Sequence, residues 1–218
     1  MDGTMAASMA AALVSAGRRV IERNLTWGTS GNISARLSDS AFLISASGIT
    51  LDALDQDGLV RCSQDGDDVT GTHTRQPSVE TGLHRAVYQA RPDIGAILHA
   101  SPFYATLAAS SALSIDPHVM TDTAYYVREV RRVPFYSPSS DELARAAAAH
   151  VDGCHVLLLD NHGALTLGAT PMEAVTRMEA LEMLCRMLVY GSLGVPLRPL
   201  RQEDVTSLLQ TLATQSTV

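Results

Sequence analysis

The first apolar positions of the chain, Met5, Met9, Ala12, Leu13, Ala16, Val20 and Ile21, recur at three- and four-residue spacing. That period puts them on one side of a helix, and it predicts an amphipathic helix ending near Asn24. A loop of small polar residues, Thr29-Ser30-Gly31-Asn32, comes next, and strand-like segments follow at 33–37, 41–46 and 58–62. The polar stretch 63–71, with its Gly and Asp residues, reads as a turn between strands. Pro77-Ser78 starts a helix running to Ala90, with Ser78 as N-cap, and Arg91-Pro92 stops it. Residues 94–99 form a buried strand, and Pro102 opens a short helix to Ser110 at the position proline tolerates best. A strand at 130–136 precedes an Ala-rich helix led by Ser140-Asp141-Glu142 and ending at His150. Strands at 155–160 and 164–167 are separated by a tight Asn161-His162-Gly163 turn. Thr170-Pro171 then caps a long helix with Ala174, Val175, Met178, Leu181, Leu184, Cys185 and Leu188 on one face, and a last helix covers 202–212.

Several of these strands follow one another without an intervening helix. That order favours an α/β fold with three layers, α/β/α, and a mixed, largely antiparallel central sheet, over a doubly wound parallel sheet. The 218 residues show no repeat, linker or low-complexity tract, so 1–218 reads as one domain able to bury a substantial core. Composition adds exclusions. The 16 basic against 23 acidic residues leave a charge of −7, which argues against a nucleic-acid partner. No run reaches the roughly 18 apolar residues that a membrane span needs. The Ala/Met-rich start opens with Asp2 and reads as a helix, not a signal peptide. Cys62, Cys154 and Cys185 are odd in number and widely spaced, which implies reduced thiols and a cytoplasmic compartment. Cys185 falls inside an apolar helical pattern and reads as a small buried hydrophobe.

Three polar residues interrupt this apolar pattern: Glu80, His99 at the end of Ile97-Leu98-His99, and His162 in Asp160-Asn161-His162-Gly163. Glu80 by position alone is an ordinary acid complementing a helix macrodipole. One histidine at the end of an apolar strand reads as a satisfied core residue. Two leave the core and metal-ligand readings equally open. Thr29-Ser30-Gly31-Asn32 and Ser45-Ala46-Ser47-Gly48 are small, polar and glycine-bearing, so together they suggest an oxyanion pocket at adjacent strand ends. His73, His84, His118, His150 and His155 read as surface or helix residues, with His84 nearest the site.

Gly31-Asn32-Ile33-Ser34, Ser47-Gly48, Pro77-Ser78-Val79-Glu80, Tyr88-Gln89-Ala90-Arg91-Pro92-Asp93, the His99 strand and Asn161-His162-Gly163 stand in a telling order. In order and spacing the chain resembles the class II aldolase/adducin family over roughly residues 5 to 192. Enzymes of that family include fuculose-phosphate aldolase, rhamnulose-phosphate aldolase and ribulose-phosphate epimerase. The resemblance implies a cyclic homotetramer with active sites between subunits and a divalent metal, commonly zinc, held by three histidines, while an oxygen-richer ligand set would tilt the preference toward manganese, iron or magnesium. It implies lyase chemistry, aldol cleavage or decarboxylation of a small sugar phosphate or hydroxy or keto acid through a metal-stabilised enediolate. His99 and His162 would be metal ligands and Glu80 the acid/base, able to coordinate as well. Gly31, Asn32, Ser47, Gly48, Ser78 and Ser101 would bind substrate, and Tyr125 or Tyr126 would be the tyrosine that crosses the interface. Three positions depart from the family pattern. Ser101 replaces the second histidine of His-x-His, Val79 replaces a serine, and no tyrosine follows Leu200. The loss at 101 leaves two alternatives to a lyase: a scaffold like the adducin head domain that has lost its metal, and a non-haem iron oxygenase.

Overall fold

Two-residue alternation along the strands assigns the layers. The computed structural model describes residues 3–66 and 75–215. In β1, Asn32–Ser38, the apolar Ile33, Ala35 and Leu37 join one core cluster, while Asn32 and Ser34 face the other way. β2 (Ala41–Ser45) and β3 (Leu59–Ser63) follow as a meander, and α1 (Gly3–Glu22) precedes them. Next come α2 (Thr81–Ala90), β4 (Ala96–Ala100), α3 (Phe103–Ala109), α4 (Thr121–Tyr126), β5 (Arg131–Val133) and α5 (Asp141–His150). β6 (Val156–Leu159), β7 (Gly163–Gly168), α6 (Pro171–Ser192) and α7 (Gln202–Gln215) complete the order. The seven strands form one sheet in the order β3-β2-β1-β4-β7-β6-β5. Every neighbouring pair is antiparallel except β5 and β6. Ala96, Leu98 and Ala100 of β4 pack with α1, α3 and α6, whereas Ile97 packs with Leu83 and Val87 of α2 and Leu143 of α5. Helices thus cover both faces, and the expected three-layer α/β/α fold with a mixed, largely antiparallel sheet is the one observed.

Local differences matter where they move the candidate residues. α2 begins at Thr81, not at Pro77, and Glu80 is its N-cap residue in place of Ser78. The reason is that residues 76–78 stay extended against the end of β2. Ser47 donates its N–H to the Gln76 carbonyl at 3.0 Å, Ser78 donates to the Ser45 carbonyl at 3.1 Å, and Pro77 bridges Ala46. Those bonds hold Ser78 outside the helix and carry Glu80 to the end of the sheet. β5 is shorter than the expected 130–136, and the six-residue α4 had no clear signal in the sequence. Of the expected turn at 63–71 only 63–66 lie among the described residues, and His73 lies outside them. Ser140 accepts from the Leu143 N–H at 3.1 Å and Thr170 from the Glu173 N–H at 3.2 Å, so α5 and α6 start at side-chain caps. All three cysteines are buried and unpaired, and among the described residues no helix is long and apolar enough to cross a membrane.

Arg91 ends α2 and ties it to the neighbouring layer. Its guanidinium donates to the carbonyls of Val151 and Cys154 at 2.7 and 2.8 Å and pairs with Asp93 at 2.7 Å. His155 lies beside it, half-buried at the start of β6 and not on a free surface or a helix. Burial, with the nearby cations Arg177 and Arg91, pushes the His155 pKa down from 6.5 to about 4. The folded state therefore resists a proton that the unfolded chain accepts. The contribution of His155 to stability is complete above about pH 6.5, falls as the pH drops toward 4 and levels off below that. Urea midpoints of the metal-free protein across this range should fall, and His155→Asn should show a shallower decline.

Candidate active site

The register of β1 against β4 sets Asn32 directly opposite His99. Both side chains face the layer that contains α2, whose N-terminus delivers Glu80. His162 arrives from the turn between β6 and β7. There Asn161 adopts a φ of 56° and Gly163 a φ of 154°, and the His162 N–H donates to the Leu159 carbonyl at 3.0 Å. Three separated segments thus converge. Glu80 Oε2 lies 3.2 Å from His99 Nε2, Glu80 Oε1 lies 3.4 Å from His162 Nε2, and the imidazole centroids are 4.8 Å apart. One candidate ligand atom from each residue falls within 4.8 Å of the other two.

The hydrogen bonds around this trio favour a cation. His99 Nδ1 is 3.1 Å from the Ala164 carbonyl, to which it donates, so in the neutral ring Nε2 carries a lone pair. That lone pair faces a carboxylate oxygen, an arrangement of two acceptors that a shared positive ion relieves. Glu80 Oε1 and His162 Nδ1 are buried and have no hydrogen-bond partner among the described residues. Burial pushes the Glu80 carboxyl up, but its attraction to the protonated forms of His99 and His162 and the hydrogen bond from Asn32 outweigh it, so its pKa lies below the ordinary value. Burial, then repulsion from His99, lowers the His162 pKa against the pull of Glu80, which favours the neutral, metal-binding form of the ring. Two imidazoles and a carboxylate are also a sufficient protein donor set for a catalytic zinc site with an open position. The residues present therefore fit a divalent ion without a third histidine.

The trio lies in a cavity of about 200 Å³. Gly31, Asn32, Ser47, Gly48 and Ser78, all expected to bind substrate, line it together with Glu80, His99 and His162. The start of β1 and the end of β2 lie at the same end of an antiparallel pair, which is why the two glycine-bearing loops meet there. Gly31 has a φ of 86°, and a Cβ on it would come within 2.9 Å of the His99 carbonyl, so the loop approaches the metal strand as only glycine allows. Val79 also lines the cavity and is 71% exposed, an apolar surface at its mouth. Pro138 and Ser139, from the loop before α5, complete the lining and had no signal in the sequence beyond lying next to the Ser140 cap. Ser139 adopts a φ of 65°, unusual for a residue with a side chain.

Ser101 and the two tyrosines are not brought to this cavity. The Ser101 hydroxyl donates to the His162 carbonyl at 3.3 Å and lies 3.4 Å from Ser30 Oγ. It buttresses the turn that carries His162 and lines a separate groove with Trp27 and Phe103. Tyr125 and Tyr126 sit on α4, half-buried, with ring centroids 4.9 Å apart, and neither lines the cavity of its own chain. His84, expected near the site, is fully buried behind Asn32; burial lowers its pKa to about 3, so it is a neutral hydrogen-bonding group.

A family model of the class II aldolase and adducin N-terminal domain matches residues 11–189. The chain belongs to that family. It is 31% identical over 201 residues to the 3-oxo-tetronate 4-phosphate decarboxylase of Haemophilus influenzae, covering 90% of this chain and 93% of the relative. It is also 31% identical to the methylthioribulose-1-phosphate dehydratase of Methylococcus capsulatus, covering 84% and 94%. Among solved structures, the L-fuculose-1-phosphate aldolase of Thermus thermophilus superposes with a TM-score of 0.76 at 29% identity, covering 86% of this chain and 95% of that one. This family member is a lyase of the class II aldolase type, from a family that depends on a divalent metal, and it has a Glu80/His99/His162 set to hold one. The scaffold alternative is thereby set aside.

Gly163 is the tightest point of the metal turn. A Cβ there would lie 2.6 Å from the Ala100 carbonyl and 2.9 Å from Ser101 Oγ. Gly163→Ala should cost about 1–3 kcal/mol of stability in urea unfolding and should weaken divalent-metal binding measured by titration, because the turn carrying His162 must move.

Proposed function

We propose that the chain is a metal-dependent lyase that breaks a carbon–carbon bond beside a carbonyl, by aldol cleavage or decarboxylation, in a small phosphorylated sugar or sugar acid. The observation that carries this reading is the convergence of Glu80, His99 and His162 at one wall of a small polar cavity. The relatives support the substrate class, since decarboxylase, dehydratase and aldolase are each named for a sugar phosphate or a phosphorylated sugar acid.

His99 and His162, through Nε2, and Glu80 would hold the ion, with zinc the preferred metal for this donor set. A divalent ion bound there supplies a Lewis acid for the oxygen beside the breaking bond, where negative charge develops. The protein does the rest. The backbone N–H groups and hydroxyls of the 29–32 and 45–48 loops, with Ser78, receive the anionic end of the substrate. No lysine or arginine lines the cavity among the described residues, so that end is held by dipoles and hydrogen bonds. Glu80, anchored through Oε2 by Asn32 at 3.1 Å, has no hydrogen bond to Oε1 among the described residues, and that oxygen takes or returns the proton. Val79 at the mouth favours an apolar or carboxylate portion of substrate over a second phosphate contact. Tyr125 or Tyr126 supplies its hydroxyl to a neighbouring subunit's site in a homotetramer. Exposed Trp27 and Phe103 beside the Ser101 groove support such an assembly, because large apolar side chains there gain from being covered. Three buried free thiols suit a cytoplasmic compartment.

Purified protein loaded with zinc, manganese or ferrous iron should release an aldehyde, a ketone or carbon dioxide from phosphorylated keto sugars and sugar acids. Removal of the metal by a chelator should abolish that release. Glu80→Gln should lower turnover by about 10²–10⁴-fold, the usual size of general acid–base catalysis. Ser101→Ala should weaken metal binding far less than His99→Ala, since the Ser101 hydroxyl faces the His162 carbonyl. A protein that binds no divalent ion at micromolar concentration would sink the proposal, and oxygen uptake by the ferrous form would favour an oxygenase instead.

A further inference from the structure

Behind Glu80 runs a buried line of polar side chains for which the lyase reading supplies no role. Glu80, His84 and Tyr88 recur every fourth residue at the start and along one face of α2. Asn32, Ser34 and Arg36 recur every second residue along β1. Four helical residues rise about 6 Å and two strand residues about 6.6 Å, so the two ladders stay in step. Each rung is bonded. Asn32 Nδ2 donates to Glu80 Oε2 at 3.1 Å, and His84 Nε2 meets Asn32 Oδ1 at 2.6 Å. Ser34 Oγ meets His84 Nδ1 at 2.7 Å and the Tyr88 hydroxyl at 2.8 Å. Arg36 closes the far end, its guanidinium 4.7 Å from the Tyr88 ring centroid and bonded to the Tyr88 carbonyl at 2.8 Å.

The carboxylate gives this chain one direction. An ionised Glu80 only accepts, so the Asn32 amide must donate to it with Nδ2 and accept with Oδ1. His84 must then carry its proton on Nε2, Ser34 must donate to Nδ1, and Tyr88 must donate to Ser34. Ser34 and His84 are fully buried and Tyr88 is 1% exposed, so no water competes for these roles. A scaffold has no need of the line, because apolar side chains would fill this layer at less desolvation cost, as Leu83 and Val87 do on the same helix.

We propose that Tyr88, Ser34 and His84 are positioning residues that act through Asn32, fixing Glu80 Oε2 so that Oε1 is presented to the metal and the substrate. This rests on the metal-lyase reading of Glu80. The direct probe is cobalt(II) titration of the metal-free protein, read as a dissociation constant and as the visible absorption bands of the bound ion, beside the thermal midpoint of the metal-free form. His84→Phe should weaken cobalt binding about 10- to 100-fold and change the band positions. Ser34→Ala should do the same to a lesser degree and Tyr88→Phe least, since each stands farther up the line; these two carry the test if His84→Phe does not fold. Leu83→Ala, which thins the apolar core beside the line, should lower the thermal midpoint and leave affinity and spectrum unchanged. If the three polar variants behave as Leu83→Ala does, the inference is overturned and the lyase reading stands. If the unaltered protein binds no cobalt, both fall together.

Discussion

The antiparallel pairing of β1 with β4 is the constraint on which the site depends. It sets Asn32 opposite His99 and turns both toward the layer where α2 begins. A slip of one residue in this register would send His99 to the face packed against α1, α3 and α6, among Ala96, Leu98 and Ala100. No local adjustment could then restore its approach to Glu80. The apolar residues on either side of the two polar ones enforce the register: Ile33 and Leu98 are both fully buried on the face that must stay dry.

Once the register is set, close backbone approach decides how the remaining groups arrive. Gly31 lets the first loop come up to the His99 carbonyl, and Gly163 lets the His162 turn press against Ala100 and Ser101. Both contacts leave no room for a Cβ, so the cavity is shaped by main chain that cannot easily relax. Glu80 reaches the same place because residues 76–78 are held extended against β2 before the helix starts. The result is a carboxylate with one oxygen secured by Asn32 and the other without a hydrogen bond among the described residues, set between two imidazoles. Ser101, in the place of a missing histidine, serves this arrangement from outside by supporting the His162 carbonyl. Glu80, His99 and His162 remain as a three-residue group that could hold an ion.

Much of this was legible in the residues alone. The strands, the capped helices at Ser140 and Thr170 and the layered α/β/α architecture follow from periodicity and turn chemistry, and the trio Glu80, His99 and His162 from the motifs that carry the family resemblance. Such features are local: a helix cap acts within one turn, and side-chain alternation acts within one strand. The start of α2 departs from its sequence expectation because Pro77-Ser78 has the local chemistry of a helix N-terminus, whereas the competing hydrogen bonds come from Ser45 and Ser47, thirty residues away. Ser139, Pro138 and the course of the Ser101 hydroxyl were equally out of reach, since each depends on what another segment places beside it.

The sequence by itself determined which groups are available: two histidines at apolar strand ends, a carboxylate before a helix and glycines where the backbone must come close. Only the tertiary structure decided their relations. It brought residues 32, 80, 99 and 162 to one cavity wall and aligned the four-residue period of α2 with the two-residue period of β1. It turned His84 from one helical histidine among several into a buried partner of Asn32. The physical reason is that residue identity fixes what each group can donate, accept or ligate. Direction and distance between groups far apart in the chain come from strand register and layer packing, which no local pattern encodes.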